Sequence, residues 1–335
     1  MNEKTAAKGP RCDHVLLSYN HEAYVELALE GVFSQVGADK QMVIVCDDSS
    51  TDASREVIVR WLSARGLEPV RLFSARNLGT AATLRKAALA AQGELIIISA
   101  SDDVSLPTRT RVIRENIESL GEKIYGGFSD VTPIDEKGGM LNLVDRPNFN
   151  DPNLDAESIA KNFTGFLGAS SFYHRDVFGR FGPLTEGLLH EDMVLNFRAA
   201  LLGRTIFLRQ KLVRYRQHLA NVHSLRGKEG PQARLEHALK IGRSLVKVAE
   251  QRCMDLVSAR QWLPRHRADV LWKSCVYWRS THRMKMAALS GRLPLSKAFQ
   301  IALFGRASCK EIAKAIAMRI IVKIRMKAER SATKP

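Results

Sequence analysis

Two adjacent carboxylates, Asp102 and Asp103, follow an apolar run that ends at residue 99. Side by side they repel each other unless they share a cation. Hard divalent ions such as Mg²⁺ or Mn²⁺ bind carboxylate oxygens and leave other positions to phosphates and water. An ion held there would neutralise the diphosphate of a nucleotide leaving group. The competing interpretation is a polar turn in which an aspartate caps the next helix.

The elements that must position these residues alternate between short apolar runs and helical patterns. Apolar runs at residues 14–18, 42–46, 70–73 and 94–99 predict strands, and apolar stripes between them predict helices, the third at about 80–91. Strands this apolar are covered on both faces. We therefore expect an open, largely parallel sheet flanked by helices, with ligands bound at the carboxyl ends of its strands.

Polar clusters follow each of the predicted strands. They occupy residues 18–20, 47–52, 76–79 and 101–103. The cluster at 47–52 is also a normal turn in which Ser50 or Asp52 caps a helix. A shared function is favoured because the acidic loops after the second and fourth strands lie at the same edge of one sheet.

Several common chemistries lack their motifs. No G-x-G-x-x-G follows the first predicted strand and no G-x-x-x-x-G-K-[ST] occurs, so dinucleotide and P-loop chemistry lose support. The five cysteines are scattered without a C-x-x-C pair, which argues against a zinc or redox motif. The N-terminus is polar, and no apolar run reaches about 18 residues. These features predict a cytoplasmic protein.

Six motifs in order resemble those of family 2 glycosyltransferases of the GT-A fold. They are Tyr19-Asn20, residues 45–52 with Asp47-Asp48, Arg76-Asn77-Leu78-Gly79, residues 93–96, Ser101-Asp102-Asp103 and Glu191-Asp192. The resemblance covers about residues 12–225. It implies an α/β fold with an open, mostly parallel sheet and an inverting transfer of a sugar from a nucleotide-diphosphate donor to a hydroxyl group.

The resemblance also implies a nucleotide-sugar site. Its residues would be Tyr19, Asn20, Asp48, Arg76, Asn77, Gly79 and Asp102. The guanidinium of Arg76 suits a phosphate because it can donate two parallel hydrogen bonds. The competing interpretation of Arg76 is a surface arginine.

A divalent metal, Mg²⁺ or Mn²⁺, is implied at Asp102 and Asp103. Many family members carry a further acid two positions before the residue that matches Asp102, and this chain has Ala100 there, so one carboxylate fewer holds the ion. His218 matches a later element in which a histidine or basic residue reaches the metal or the diphosphate. A lone histidine also has a structural interpretation.

Glu191 and Asp192 match an acidic pair at the start of an acceptor-side helix. The resemblance implies that Asp192 is the general base, a carboxylate that takes the proton of the attacking hydroxyl. Acids at a helix N-terminus are also stabilised by the helix dipole, which gives the pair a purely structural interpretation. Residues 168–171 are expected to line the acceptor side, or to form a plain tight turn.

The basic charge is concentrated in the last third of the chain. The formal net charge is +16, and from Arg226 onward 25 Lys and Arg face 7 Asp and Glu. The isoleucines recur every fourth residue at Ile312, Ile316, Ile320 and Ile324, with Lys314, Arg319, Lys323, Arg325 and Lys327 around them. This pattern predicts a basic amphipathic helix, either a peripheral anchor on the inner face of an anionic membrane or a helix packed on the catalytic domain. No nucleic-acid-binding motif accompanies the charge.

The sequence thus predicts a glycosyltransferase domain at residues 1–225 and a basic helical region at 226–335. The expected acceptor is a glycan or lipid-linked saccharide in cell-surface polysaccharide biosynthesis. Two alternatives stay open. One is a nucleotidyltransferase on a similar sheet, although residues 18–22 lack its Gly-rich and basic loop. The other is an inactive membrane- or polyanion-binding scaffold, for which Ala100 is the best argument.

Overall fold

The computed structural model describes residues 10–37, 41–141, 154–218, 230–290, 292, 314–322 and 324. In this part of the chain, eight strands form one mixed sheet with helices on both faces. The strands are β1 (Cys12–Ser18), β2 (Val43–Asp47), β3 (Val70–Phe73), β4 (Leu95–Ala100), β5 (Val104–Ser105), β6 (Ile124–Ile134), β7 (Ser171–His174) and β8 (Arg204–Arg216). They lie side by side in the order β3-β2-β1-β4-β7-β6-β8-β5.

Helices connect most of the strands and continue after the last one. They are α1 (Val25–Phe33), α2 (Ser54–Ser63), α3 (Thr80–Ala90), α4 (Arg109–Leu120), α5 (Ala156–Asn162), α6 (Asp176–Gly179), α7 (Glu191–Leu202), α8 (Pro231–Ala259) and α9 (Arg265–Ser290). A 3₁₀ turn occupies Gly168–Ser170, and residues 314–322 are helical. No helix in the described part of the chain is both long enough and apolar enough to cross a bilayer.

The first half of the sheet confirms the predicted βα pattern. Strands β3, β2, β1 and β4 are neighbours and all run parallel. Successive residues face opposite layers: Val15 packs with α3 and α7, whereas Leu16 packs with α1 and α2. Both side chains are fully buried. Coverage on both faces explains why these strands are apolar at nearly every position.

The second half of the sheet departs from a parallel arrangement. Strand β7 runs antiparallel to β4 and to β6, and β8 runs parallel to β6. The reversal arises because β7 enters the sheet at the carboxyl end of β4, directly after the turn at Gly168–Ser170. That turn therefore lies at the same edge of the sheet as the residues that follow β4.

The two-residue strand β5 fixes the position of the chain after β8. It begins four residues after Ala100 and pairs antiparallel with β8, where Val104 is opposite Arg214 and Ser105 opposite Val213. This short pairing brings the end of β8 alongside Asp102 and Asp103. A carboxyl-edge site is thus built from segments that are more than a hundred residues apart.

Helices α8 and α9 share the core of the sheet-bearing part. Val248 of α8 packs with the cluster around β1, β4 and α7, and Leu256 and Leu271 pack with α5 and α7. A buried ion pair joins Arg198 of α7 to Asp255 of α8 at 2.7 Å. These contacts tie the basic helical region closely to the helix that begins with Glu191 and Asp192.

Candidate active site

Three side chains from separate segments converge at the carboxyl edge of the sheet. Asp102 lies in the turn after β4, His21 in the loop after β1, and His218 just beyond β8. The Asp102 Oδ2 atom lies 3.0 Å from His218 Nε2 and 3.7 Å from His21 Nε2. One ligand atom from each residue lies within 4.8 Å of the other two, so the set could hold a metal ion.

His21 is oriented from its other ring nitrogen. The Nδ1 atom lies 2.8 Å from the hydroxyl oxygen of Ser101, a fully buried residue next to Asp102. This hydrogen bond turns Nε2 toward the Asp102 carboxylate, which is how metal-binding imidazoles are commonly held. Burial lowers the pKa of His21, an effect that the nearby Asp102 charge opposes. A neutral imidazole is the form that binds metal.

Asp103 does not join this cluster. Its Oδ1 atom accepts a hydrogen bond of 2.7 Å from the backbone N–H of Arg216. Burial, together with the adjacent Asp102 charge, raises the pKa of Asp103 well above its usual value. For Asp102 the cost of burial is outweighed by the hydrogen bond from His218 and the charges of both histidines, and its pKa is lowered. The two adjacent carboxyls therefore have different surroundings and different protonation tendencies.

Two buried arginines lie behind the acidic pair. Arg216 donates from Nε to the carbonyl oxygen of Asp102 at 2.9 Å, and its guanidinium lies over the ring of Tyr24 at 4.5 Å. Arg109 donates to Ser105 Oγ at 2.9 Å and to the carbonyl oxygen of Ser171 at 3.2 Å. Positive charge at this depth offsets the repulsion between the two aspartates.

The loop after β2 is joined to the loop after β3 through Asp48. Its Oδ1 accepts from the N–H of Leu78 at 2.9 Å and its Oδ2 from the N–H of Gly79 at 2.8 Å. Asn77 donates a hydrogen bond from Nδ2 to the carbonyl oxygen of Asp48 at 3.2 Å. Gly79 has φ 81°, a conformation that favours glycine. The structure thus brings together three of the residues expected at the nucleotide.

Arg76 stands at the outer side of the same loop. Its side chain is exposed and makes no hydrogen bond or ion pair with the described residues. Pairing with a phosphate would therefore break no contact with the described residues.

The loop after β1 is tied to the loop after β2. Asn20, at φ 55°, accepts a bond from the N–H of Thr51 at 2.8 Å, and its own N–H donates to Ser50 Oγ at 3.0 Å. Tyr19 beside it is 43% exposed. The Asn20 side chain therefore shapes the loop, while the Tyr19 ring is open to contact from outside the protein.

The second acidic pair begins α7, as predicted. Asp192 accepts a bond from the N–H of Met193 at 2.8 Å and lies against Gly168, where an added Cβ would come within 3.3 Å of the Asp192 Cβ. Burial raises the pKa of both acids, and the charge of Asp192 raises that of Glu191 further. Backbone N–H groups and the positive charge of Arg252 oppose this rise at Asp192. Of the pair, Asp192 gives up its proton more readily.

Arg252 of α8 fixes the start of α7. It donates to the carbonyl oxygen of Met193 at 2.6 Å and to that of Thr164 at 2.7 Å. The turn at Gly168–Ser170, which lies against Asp192, also packs against β4. Asp192 is thus placed by α8 on one side and by the carboxyl edge of the sheet on the other.

Known proteins share the fold of this chain. S. aureus TarS 1–349 in complex with UDP-GlcNAc superposes with a TM-score of 0.60 at 14% identity, over 95% of this chain and 92% of that one. The mannosyltransferase PcManGT from Pyrobaculum calidifontis, in complex with GDP-Man and Mn²⁺, gives a TM-score of 0.51 at 19% identity, over 93% and 86%. At these identities the likeness establishes the GT-A type fold.

The sequence comparisons establish the family. Residues 14–182 match the model of glycosyl transferase family 2, and the chain belongs to this family. The succinoglycan biosynthesis protein ExoO of Rhizobium meliloti is 28% identical over 60% of this chain and 55% of its own length. This chain spans less than two thirds of the length of the first curated relatives it matches.

Sequence reasoning missed His21 and Arg109 as site residues, and it included Ser101 only as part of the Ser101-Asp102-Asp103 motif. His21 directly follows Tyr19-Asn20, so its position in a loop after a strand was a usable signal. Arg109 gave no signal, because a buried arginine cannot be told from a surface arginine until its partners are known. Arg216 stands in the same later element as His218, where a basic residue was expected, but its burial behind the acidic pair was not predicted.

Proposed function

We propose that the protein transfers a sugar from a nucleoside-diphosphate donor to a hydroxyl group of a glycan or lipid-linked saccharide, with inversion at the anomeric carbon. One observation carries the proposal. The loops after β1, β2 and β3 and the turn after β4 are hydrogen-bonded to one another at the carboxyl edge of the sheet. Membership of glycosyl transferase family 2 supports a sugar donor as the ligand of this edge.

The nucleotide would lie against the loops after β1, β2 and β3. Tyr19 offers an exposed ring for the base, and the Asp48 carboxylate holds the Asn77–Gly79 loop in place beside it. The exposed guanidinium of Arg76 pairs with none of the described residues and would be available to the phosphates. The fold neighbours TarS and PcManGT have structures in complex with UDP-GlcNAc and GDP-Man, which supports a nucleotide sugar as the donor class.

A divalent cation fits at Asp102 and His218. The carboxylate oxygen and the imidazole nitrogen lie 3.0 Å apart, close to the spacing of adjacent ligands on one ion. When bound, such an ion neutralises the charge that builds up on the diphosphate as it leaves. Asp102 and His218 would fix the position of the diphosphate end. Arg216 positions Asp102 through a hydrogen bond to its carbonyl oxygen.

Asp192 would accept the proton of the acceptor hydroxyl. As the acceptor oxygen bonds to the anomeric carbon, the bond from that carbon to the diphosphate oxygen breaks and the proton passes to the carboxylate. One displacement inverts the anomeric centre. Glu191, whose pKa is raised further, would stay protonated beside it at neutral pH and leave a single negative charge on the pair.

The described part of the tail supports a membrane-bound acceptor. Ile320, Ile321 and Ile324 are 38%, 52% and 62% exposed, and with Ala317 they lie on one face of the helical residues 314–322 and 324. An apolar face within a region rich in Lys and Arg suits the surface of an anionic bilayer. The enzyme would then work at the inner face of a membrane on a lipid-linked glycan.

A donor panel tests the proposal directly. Purified protein with Mn²⁺ is incubated with UDP-, GDP- and dTDP-sugars, and binding and slow hydrolysis are measured by calorimetry and by release of the nucleoside diphosphate. Asp192→Asn should retain donor binding and lose transfer, with Glu68→Gln, an exposed surface acid, as the matched control. Failure to bind or hydrolyse any sugar nucleotide would refute the proposal, and unchanged turnover in Asp192→Asn would remove the base.

A further inference from the structure

The His21–Asp102–His218 cluster has an unusual donor set for a magnesium site. It offers two imidazole nitrogens and one carboxylate oxygen, all within 4.8 Å of one another. Mg²⁺ prefers oxygen ligands and holds its water tightly, whereas imidazole suits first-row transition metals. The chemistry of the three side chains therefore favours an ion that accepts nitrogen.

His21 supplies a ligand atom beside a β4 turn that has few of its own. Ala100, the last residue of β4, carries no ligand atom. In the structure, Ser101 bonds the Nδ1 atom of His21 at 2.8 Å and directs its Nε2 atom to 3.7 Å from Asp102 Oδ2. An imidazole from the loop after β1 thus stands beside Asp102, oriented by the residue directly after Ala100.

Asp103 is less suited than His21 to complete the ligand set. Its carboxylate is buried, and Oδ1 accepts the N–H of Arg216 at 2.7 Å. This oxygen is therefore already engaged in holding the end of β8. His21, by contrast, lies in a loop, and its side chain is one-fifth exposed.

We propose that His21 is a protein ligand of the donor-site cation together with Asp102 and His218, and that this set selects Mn²⁺ or Co²⁺ over Mg²⁺. The inference rests on the proposed function, because the remaining positions on the ion go to diphosphate oxygens and water. The competing arrangement has no ion, and the two imidazoles alone face the diphosphate.

Cobalt titration of the metal-free protein tests the ligand set without measuring turnover. Co²⁺ bound by imidazole gives a visible absorption that reports its ligands, and competition with Mn²⁺ and Mg²⁺ ranks the ions. Ser101→Ala keeps all three ligands but frees the His21 ring, and it should weaken Co²⁺ binding by roughly 10–100-fold. His21→Ala should weaken it at least as much. His266→Ala, an exposed histidine of α9, should bind Co²⁺ like the unaltered protein.

Exchanging one ligand for another provides a more specific test of the ion preference. His21→Asp replaces an imidazole with a second carboxylate and should raise the affinity for Mg²⁺ relative to Co²⁺ by ~10-fold or more, with folding checked by circular dichroism. An unchanged ion preference in His21→Asp, or equal Co²⁺ affinity in His21→Ala and the unaltered protein, would overturn the assignment.

The two proposals fail in different ways. If the protein binds no divalent ion but still binds a nucleotide sugar in EDTA, the metal site is wrong and the transferase assignment stands. If Co²⁺ binds through His21 but no sugar nucleotide binds under any metal condition, the site is real and the proposed function is wrong.

Discussion

At the residue scale, the site depends on pairs of acids whose surroundings separate their roles. Burial opposes ionisation of both aspartates, but the hydrogen bond from His218 helps to lower the pKa of Asp102, whereas burial and the Asp102 charge raise the pKa of Asp103. Asp192 and Glu191 are separated in the same manner, with Arg252 and backbone N–H groups favouring the ionised Asp192. Environments that drive neighbouring carboxyl pKa values apart are typical of acid–base sites.

Asp192 predicts a pH dependence of turnover. Burial raises its pKa to about 6, and only the ionised carboxylate can take the acceptor proton. Activity should therefore be present above pH ~6 and fall ~10-fold per unit as pH drops below it. The measurement is kcat/KM for transfer against pH at saturating metal. A profile that stays flat down to pH ~5 would argue against Asp192 as the base.

Asp48 predicts a linked loss of stability and nucleotide affinity. Asp48→Ala leaves the N–H groups of Leu78 and Gly79 without their acceptor and should lower the free energy of unfolding by about 1–3 kcal/mol. The dissociation constant of the nucleotide should rise as the loop loosens. Chemical denaturation and calorimetry measure the two effects. Glu68→Ala removes only an exposed ion pair with Arg71 and should change stability by no more than about 0.5 kcal/mol.

The site residues that could be predicted from the sequence are those that directly follow a predicted strand. Asp48, Gly79 and Asp102 follow apolar runs, so their positions at the carboxyl edge were predictable from periodicity alone. His21 needed its bond to Ser101 to gain a role, and that bond joins segments 80 residues apart. Arg109 became relevant only as a buried group, and burial cannot be deduced from a charged side chain in the sequence.

At the scale of elements, local patterns and long-range pairing contributed differently. The strands β1 to β4 and the helices between them were predictable, because each apolar run is bounded by turn residues. Neither the antiparallel entry of β7 nor the two-residue β5 had a signal of its own. The turn at Gly168–Ser170 places β7, and pairing with β8 places β5. A strand of two or four residues does not reveal such a long-range pairing in its own sequence.

The Arg198–Asp255 pair predicts that α8 is integral to the fold. Both side chains are almost fully buried, and the guanidinium donates to both carboxylate oxygens, at 2.7 and 2.8 Å. Removing one partner leaves a buried charge, so Asp255→Ala should lower the free energy of unfolding by about 3–5 kcal/mol. Glu250→Ala on the same helix breaks the exposed pair with Arg283 and should cost less than about 1 kcal/mol. Equal effects in chemical denaturation would show that α8 contributes little.

At the scale of the whole molecule, the region with the excess of basic charge also carries exposed isoleucines. Residues from Arg226 onward carry the excess of Lys and Arg, while the part before them is nearly neutral. The isoleucine pattern divides in the structure: Ile316 is buried against α9, whereas Ile320 and Ile324 are exposed. In a helix of 3.6 residues per turn, four residues make one full turn plus about 40°. Isoleucines at every fourth position therefore move progressively away from the face that packs against α9. Ile312, Lys323, Arg325 and Lys327 lie outside the described residues.

The exposed isoleucines predict binding to anionic vesicles. A variant with Ile320, Ile321 and Ile324 all changed to Ser should partition at least ~10-fold less onto vesicles of phosphatidylglycerol, because each buried isoleucine contributes about 1 kcal/mol or more. Cosedimentation in moderate salt measures the effect. Leu89→Ser removes an apolar side chain that is 58% exposed on α3, away from the basic region, and should leave partitioning unchanged.

The lipid charge separates the two contributions to this anchor. Neutral phosphatidylcholine vesicles do not attract Lys and Arg electrostatically, but they can still bury the isoleucine side chains. The unaltered protein should therefore bind them more weakly than anionic vesicles, and with little salt dependence. Because Ile316 holds the helix to α9 through Ala288 and Leu289, an anchored tail would place the sheet edge at a fixed height above the bilayer. If the triple serine variant and the unaltered protein sediment alike on both lipids, this helix is a packing element and the acceptor must be brought to Asp192 by another route.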